Sequence, residues 1–206
     1  MIKILIISGS PVEGSSTDIL LQRVEKSLVD HLPPEVETES VWVKINNLRF
    51  DSCQACGEAP VDGFCLLEDD LDSVYDELAE SDCILIGTPI YFDTVSAQTK
   101  LFIDRCNCMR PPDWNDTDPD HDFIKLIQRK RPGAMVLVGG ERGYFEGARR
   151  VIAGWFKWIE VINTGHLMYG TGDFQTKGAA GNDPDILKEA DELGRKLAES
   201  VKSDDT

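Results

Sequence analysis

The stretch Ile84–Arg105 reads ILIGTPIYFDTVSAQTKLFIDR and decides the fold. An apolar run ends at Gly87, an uncharged loop with two aromatic rings follows at 88–92, and a helix opens near Ser96. Pro89 fixes its own φ and favours extended geometry just before it, so we expect a stiff loop. Backbone N–H groups that no ladder pairs could bind the polar edge of a flat ring. The stretch predicts either a flavin platform or a buried turn with incidental aromatic residues.

Strands and helices alternate along the chain. Apolar patterning predicts strands at about 2–7, 37–43, 82–87, 134–138 and 160–168. It predicts helices at about 17–31, 69–80, 96–109, 144–158 and 184–201. This alternation is typical of an α/β protein whose parallel sheet is covered on both faces. We expect one domain over 1–206, with a cysteine-bearing loop at 51–67 and a surface insertion at 110–122.

Composition excludes several classes of protein. The 206 residues carry a formal net charge of −16, which argues against nucleic-acid binding and against anionic membrane surfaces. No apolar run approaches the roughly 18 residues of a membrane span. The first residues lack the basic flank, long apolar region and cleavage site of a signal peptide. We therefore expect a cytoplasmic protein.

The first predicted strand ends in a loop rich in hydroxyl residues and glycine, SGSPVEGSST at 8–17. Such a loop can curl around an anion, and the helix that follows supplies N–H donors. Ser10, Ser15, Ser16 and Thr17 could bind a monophosphate without any lysine or arginine. The loop has neither a P-loop lysine nor the G-x-G-x-x-G pattern of a dinucleotide site. The alternative is an ordinary hydroxyl-rich helix cap.

The fourth predicted strand ends in VGGERG at 138–143, whose three glycines allow close approach of a ligand and positive φ. Arg142 could place a cation beside a bound ring, or it could pair with a carboxylate such as Glu141. Ligands of open α/β sheets bind beyond the carboxyl ends of the strands. Three strand ends with binding character together predict one site there.

These three segments, SGSP…SST, GTPIYFDTVSAQTKLFIDR and VGGERG, resemble the flavodoxin-like NADPH-dependent FMN reductases. That family includes NAD(P)H:quinone reductases and iron–sulfur flavoproteins, and the likeness runs in order from residue 1 to about 172. It implies a flavodoxin-like doubly wound fold with a five-stranded parallel sheet of order 2-1-3-4-5. It implies FMN as cofactor, NAD(P)H as co-substrate, and a quinone, flavin or similar acceptor, in a homodimer or homotetramer. The alternative is an electron carrier between redox proteins.

The resemblance also implies which residues hold FMN. The phosphate would lie against Ser10, Ser16 and Thr17, and the ring would contact Pro89, Ile90, Tyr91 and Phe92. The pyrimidine side would face Gly140, Arg142 and Gly143. The predicted FMN site also takes in four neighbours in the same loops, namely Ser8, Ser15, Thr88 and Gly139. Nicotinamide would stack near Phe92 or Tyr144, and no catalytic side chain is implied because the flavin carries the chemistry.

Three of the six cysteines are clustered, as Cys53-x2-Cys56-x8-Cys65. Iron–sulfur flavoproteins carry C-x2-C-x2-C and a later fourth cysteine, which together hold a [4Fe–4S] cluster. Ala59 stands where the third cysteine would fall. A cubane cluster normally needs four thiolates, so a standard cluster at Cys53, Cys56 and Cys65 is in doubt.

Several interpretations of the cysteine loop stay open. Cys106 or Cys108 could supply the missing cluster ligand, or a partner subunit could. Three cysteines and one histidine could bind zinc, with His31, His121 and His166 as candidates. The cysteines could also remain without metal, or Cys53 and Cys56 could form a redox disulfide. Cys83, within an apolar strand, is predicted to be a core residue.

Overall fold

The computed structural model describes residues 1–56, 63–110, 124–141, 143–173 and 175–203. The strands are β1 (Ile2–Ser8), β2 (Thr38–Lys44), β3 (Cys83–Tyr91), β4 (Thr94–Val95), β5 (Arg131–Gly140) and β6 (Val161–Thr171). The helices are α1 (Ser16–Asp30), α2 (Asp72–Glu80), α3 (Ala97–Arg105), α4 (Glu146–Trp158) and α5 (Pro184–Ser203). A 3₁₀ turn, Cys106–Met109, continues α3.

The sheet has the order β2-β1-β3-β5-β6, with all of these neighbours parallel. The two-residue strand β4 lies off this path and pairs antiparallel with the end of β3. Without β4 the order is the predicted 2-1-3-4-5, so the flavodoxin-like fold is confirmed. All ten predicted elements are present. β3 and β5 are longer than predicted, and α2 begins three residues later.

Two apolar layers cover the sheet. Ile4 and Ile6 point toward α1 and α5, whereas Leu5 and Ile7 point toward α2, α3 and α4. All four are fully buried, which is why the parallel strand is a continuous apolar run rather than an alternating one. Cys83 is buried in the layer beneath α1 and α5, so its prediction as a core residue is confirmed.

Arg131, the first residue of β5, is a buried cation that faces helix ends. Its guanidinium donates to Ala79 O in the last turn of α2 and to Ile159 O just after α4, at 3.3 Å each. Helix carboxyl ends carry partial negative charge, so they offset part of the cost of burial. Burial lowers the pKa of Arg131 to about 10, which still leaves it charged at neutral pH.

No helix in the described ranges is both long and apolar enough to cross a membrane.

Candidate functional site

The three predicted loops lie side by side at the carboxyl edge of the sheet. Ser8 at the end of β1 is in register with Gly87 of β3, and Pro89 of β3 is in register with Val138 of β5. The chain passes to opposite sides of the sheet after β1 and β3, which makes this edge the topological switch point. The structure therefore brings the three predicted segments together.

The loop after β1 is held by a capping box at the start of α1. Ser15 Oγ accepts from Asp18 N at 3.3 Å, and Asp18 Oδ2 accepts from Ser15 N at 3.2 Å. Ser8 is fully buried, and its hydroxyl donates to Asp18 Oδ1 at 2.5 Å. Ser10 is buried as well, and its hydroxyl accepts from Val12 N at 3.2 Å. Asp18, which organises this loop, was not identified from the sequence.

The first turn of α1 offers free hydrogen-bond donors. The backbone N–H groups of Ser16 and Thr17 have no acceptor among the described residues, as is usual at a helix start. Ser16 Oγ accepts from Ala180 N at 3.2 Å, which attaches the segment before α5 to this loop. Gly14 has a φ of 63°, a conformation that favours glycine. The turn can therefore receive an anion.

Two lysines approach the same loop, although the sequence reasoning assigned it no cation. Lys44, the last residue of β2, places Nζ 2.9 Å from Val12 O and 2.5 Å from Asp18 Oδ2. Lys177 extends over Gly14, with Nζ 3.6 Å from where a Cβ on that glycine would lie. Neither lysine is close to the loop in sequence, so no local pattern could have indicated them.

The prediction that 88–92 form a loop is wrong. β3 continues to Tyr91, turns at Phe92 and Asp93, and returns as β4. Both turn residues have positive φ, 50° and 61°, as a tight hairpin turn requires. Most of the expected unpaired backbone is therefore in a ladder. The hairpin instead displays two rings, with Tyr91 47% exposed and Phe92 fully exposed.

A buried cluster of hydroxyl groups joins the hairpin to the loop after β1. Thr88 Oγ1 accepts from Ser96 N at 3.0 Å and from Thr99 Oγ1 at 3.2 Å. Ser96 Oγ donates to Gly9 O at 2.7 Å. Thr88, Ser96 and Thr99 are each fully buried. Ser96 was predicted only as a helix start, and Thr99 was not singled out from the sequence; Ser96 Oγ caps α3 by accepting from Thr99 N at 3.3 Å.

Gly9 is required by this hydroxyl cluster. A Cβ at position 9 would lie 1.8 Å from Thr99 Oγ1 and 3.2 Å from Gly87 O. The close approach lets Gly9 N donate to Gly87 O at 2.7 Å. Adjacent loops are thereby fixed relative to each other by a contact that only glycine permits.

The loop after β5 is tight, but not in the predicted way. Gly143 N donates to Gly140 O at 2.8 Å, and a Cβ on Gly139 would meet the Phe145 ring at 3.1 Å. Gly139 and Gly143 do not use the positive φ that glycine allows. Close packing is what requires glycine at these two positions, since a Cβ on Gly143 would lie 3.1 Å from Gly140 O. Arg142 lies outside the described residues.

The hairpin and the loop after β5 are also in contact. Tyr144 N donates to Asp93 Oδ1 at 3.2 Å, and a Cβ on Gly147 would lie 2.1 Å from Asp93 O. The Tyr144 ring is 73% exposed. Three exposed rings, those of Tyr91, Phe92 and Tyr144, therefore project from neighbouring segments at this edge.

Cys65 contacts a buried arginine. Arg105, only 1% exposed, donates to Asp69 Oδ2 at 2.6 Å and to Asp51 O at 2.8 Å. Its other terminal nitrogen lies 3.5 Å from Cys65 Sγ. Burial alone would raise the pKa of Asp69, but the hydrogen bonds and charge of Arg105, together with hydrogen bonds from the backbone at Leu71 and Asp51, outweigh burial and lower that pKa below its usual range. Asp69, three residues before α2 begins, thus supplies the carboxylate of this ion pair.

The described cysteines do not form a metal site. Across the described ranges, with their gaps at 57–62, 111–123, 142 and 174, no three histidine, cysteine, aspartate or glutamate side chains are grouped to hold a metal. Cys108 donates to Arg105 O at 3.1 Å, and burial raises the pKa of its thiol to about 12. Cys106 is fully buried in the core. A four-thiolate cluster does not fit these side chains.

Other predicted features lie partly outside the described residues. Ala59 and His121 are among them, as is the insertion at 110–122 apart from Arg110.

His31 Nδ1 lies 2.7 Å from Ser27 O at the end of α1. Cys53 lines a cavity of about 450 Å³ between α3 and α4.

The chain matches the family model described as NADPH-dependent FMN reductase over residues 2–171. An iron-sulfur flavoprotein of Methanocaldococcus jannaschii is 30% identical over 206 residues, covering 97% of each chain. A putative NAD(P)H-dependent FMN-containing oxidoreductase of Bacillus subtilis is 26% identical and covers 70% of this chain and 71% of its own.

A solved structure of a flavone reductase superposes with a TM-score of 0.67 at 18% identity. It covers 98% of this chain, which spans 63% of that protein's length, and at this identity the likeness concerns the fold alone. The family match over residues 2–171 shows family membership as well as the fold. It agrees with the resemblance found in the sequence. The chain belongs to the NADPH-dependent FMN reductase family.

Proposed function

We propose that this protein is an FMN-dependent NAD(P)H oxidoreductase that reduces a quinone, a flavin or a similar small acceptor, and that 1–206 form one FMN-binding domain. One observation carries the proposal. The open N–H donors of α1 and the exposed rings of the β3–β4 hairpin adjoin at the switch point. An anion site beside a flat apolar platform suits a flavin mononucleotide.

In this proposal the FMN phosphate lies at the first turn of α1. The N–H groups of Ser16 and Thr17 would donate to it, within a loop shaped by Ser10 and Ser15. Ser8 would contribute through Asp18 rather than directly, because its hydroxyl is buried and already bonded. The helix N-terminus favours the negative charge.

The ring would rest against Pro89, Ile90 and Tyr91, with Gly139, Gly140 and Gly143 allowing close approach on the other side. Thr88 would act through the buried hydroxyl cluster, since its side chain is fully enclosed. Phe92 or Tyr144 would cover the nicotinamide and exclude water. We also propose a place for Arg142 beside the pyrimidine edge. When bound, FMN supplies hydride acceptance and electron transfer, which no side chain here provides.

The absorption spectrum of the purified protein tests this proposal. We expect flavin bands that bleach on addition of NADH or NADPH and return with a quinone. A protein that stays colourless after incubation with FMN would refute the cofactor assignment. A bound flavin that neither nucleotide reduces would refute the reductase.

Phe92→Ala tests the hairpin separately from folding. Phe92 is fully exposed, so its removal should leave stability unchanged while KM for the nucleotide rises several-fold, as expected for loss of one stacked ring. Trp42→Ala is the matched control, because Trp42 is an aromatic residue 39% exposed on β2. Equal effects of the two substitutions would contradict a stacking role at the hairpin.

A second candidate function is electron transfer between redox proteins. The 30% identity to an iron-sulfur flavoprotein over 97% of both chains favours it. The grouping of the described cysteines does not favour it. Iron and acid-labile sulfide analysis of protein prepared without oxygen decides between the two: about four of each per chain would support the carrier.

The family resemblance also underlies our proposal of a homodimer or homotetramer in the cytoplasm. Sedimentation velocity measures the oligomeric state, and a monomer at micromolar concentration would contradict this part.

A further inference from the structure

Lys44 is a mostly buried cation beneath the loop proposed to bind the FMN phosphate. It is the last residue of β2 and lies in register with Ser8, the last residue of β1. Its side chain is 15% exposed and reaches across the end of β1. Nζ lies 2.5 Å from Asp18 Oδ2, 2.9 Å from Val12 O and 3.8 Å from Glu13 Oε2. The ammonium therefore contacts the loop at three points.

Asp18 poses an electrostatic problem for an anion site. Its side chain is 7% exposed and lies in the first turn of α1, where its oxygens hold Ser8 Oγ and Ser15 N. A carboxylate there stabilises the isolated helix, but it repels a phosphate placed at the same turn. Lys44 lies against that carboxylate and is therefore the charge that cancels it.

Lys44 also fixes the shape of the loop. By donating to Val12 O it holds the segment between Ser10 and Gly14, where the chain turns back toward α1. Val12 N in turn donates to Ser10 Oγ. Loss of the ammonium would leave the Asp18 carboxylate without its cation in the turn proposed to receive the anion, and would leave Val12 O with the Ser10 hydroxyl, 3.3 Å away, as its donor.

We propose that Lys44 is a positioning residue that makes the site selective for the phosphorylated flavin over riboflavin. It neutralises Asp18 and holds the loop so that the N–H groups of α1 meet a phosphate dianion. This inference rests on the proposed function, because it concerns the same FMN site. Lys44 acts through the loop and touches no reacting atom.

Binding of FMN and riboflavin to the full-length protein, freed of bound flavin, tests the inference by flavin fluorescence quenching. Lys44→Met should weaken FMN binding about tenfold or more, the size of one charge-assisted hydrogen bond, and change riboflavin binding much less. Lys44→Arg should keep most of the discrimination. The Asp18→Asn, Lys44→Met double variant should recover part of the FMN affinity, because both charges are then removed together.

Lys3→Met is the matched control. Lys3 has the same 15% exposed side chain and pairs with Glu77 and Glu80, but it lies near the opposite end of β1. Its loss should alter stability and leave the ratio of FMN to riboflavin affinity unchanged. A purely structural lysine at position 44 would behave like Lys3.

Three outcomes would overturn the inference. The first is that Lys44→Met weakens the binding of FMN and of riboflavin by the same factor. The second is that the wild type binds both flavins with equal affinity. The third is that added salt weakens FMN binding by the same factor in the wild type and in Lys44→Met. If Lys44→Met does not fold, the double variant and Lys44→Arg carry the comparison, and loss of discrimination in Lys44→Arg overturns it. Failure of the wild type to bind any flavin would instead refute the proposed function, so flavin binding by the wild type is measured before the variants are compared.

Discussion

Replacing Gly9 by alanine should break the contact that fixes the loop after β1 against the hairpin. The new methyl group would lie 1.8 Å from Thr99 Oγ1, far inside van der Waals contact, so Thr99 must rotate or the loop must move. Rotation breaks the 3.2 Å hydrogen bond from Thr99 to Thr88. Overpacking a buried site costs about 1–3 kcal/mol, and a lost buried hydrogen bond costs about 1 kcal/mol more. We expect Gly9→Ala to destabilise the protein by about 3 kcal/mol.

A double-mutant cycle tests this assignment. Thr99→Ala alone should cost about 1–2 kcal/mol for its lost hydrogen bond. It also removes the atom that the new methyl group at position 9 would strike, and the remaining neighbours at 3.1 and 3.2 Å need only small shifts. Gly9→Ala combined with Thr99→Ala should therefore cost little more than Thr99→Ala alone. The expected coupling is a little under about 3 kcal/mol, at the upper end of the range found for residues in direct contact.

Urea unfolding followed by tryptophan fluorescence measures these free energies, and FMN titration of the same variants measures the effect on the site. Thr99→Val is the control, because it removes the hydroxyl but keeps an atom in its place. Gly9→Ala should still cost about 2 kcal/mol for overpacking when it is combined with Thr99→Val, which already lacks the hydrogen bond. Additive effects of Gly9→Ala and Thr99→Ala would refute the steric argument. So would rescue by valine.

Three other substitutions test the buried ion pair of Arg105, the buried thiol of Cys83 and the contact that Lys177 makes with the loop after β1. Arg105→Met should lower the free energy of unfolding in urea by about 3–5 kcal/mol, because it leaves the Asp69 carboxylate without its cation. Arg129→Met, at a pair with Asp82 whose side chains are 46% and 32% exposed, should cost under about 1 kcal/mol. Equal losses in the two variants would contradict this expectation. Burial, reinforced by a nearby carboxylate, raises the pKa of the Cys83 thiol to about 12 from 9.0, so the native state keeps a proton that the unfolded chain loses. This thiol should therefore leave stability unchanged below pH 9 and lower it by about 1.4 kcal/mol per pH unit between pH 9 and 12. Cys83→Ala should make that fall less steep by the same amount, and an unchanged slope would disprove the assignment. Lys177→Gln should weaken FMN binding several-fold in a fluorescence titration, as expected for one exposed phosphate contact, and leave riboflavin binding unchanged; a loss shared by both flavins would count against a phosphate contact.

The order of elements could be predicted because its signals are local. Each central strand is a continuous apolar run, as parallel strands buried on both faces must be, and each helix has a periodic apolar face. The loops after β1 and β5 could be located from their hydroxyl residues and glycines. The hairpin could not be predicted, because positive φ is rare for a bulky residue such as Phe92, and the turn at Phe92 and Asp93 forms through pairing with β4.

The missed site residues depend on distant contacts. Lys44 reaches the loop after β1 only because β2 and β1 are in register, and Lys177 only because the segment before α5 packs on that loop. The cysteine spacing was a local signal, but the engagement of Cys65 depends on Arg105, 40 residues later. Sequence patterns identify which segments can bind a ligand. The charge balance around them is set by tertiary structure.

The β3–β4 hairpin combines a fixed backbone with outward-facing side chains that can be changed independently of it. Its backbone is anchored by β4, by the hydroxyl cluster and by the contact between Asp93 and Gly147, whereas the side chains at 91 and 92 face outward. Substitutions at these two positions can therefore change the shape presented to an incoming molecule without disturbing the loop after β1. A library of variants limited to position 92 should yield altered acceptor preference at nearly constant FMN affinity, because Tyr91 rather than Phe92 is proposed to contact the FMN ring.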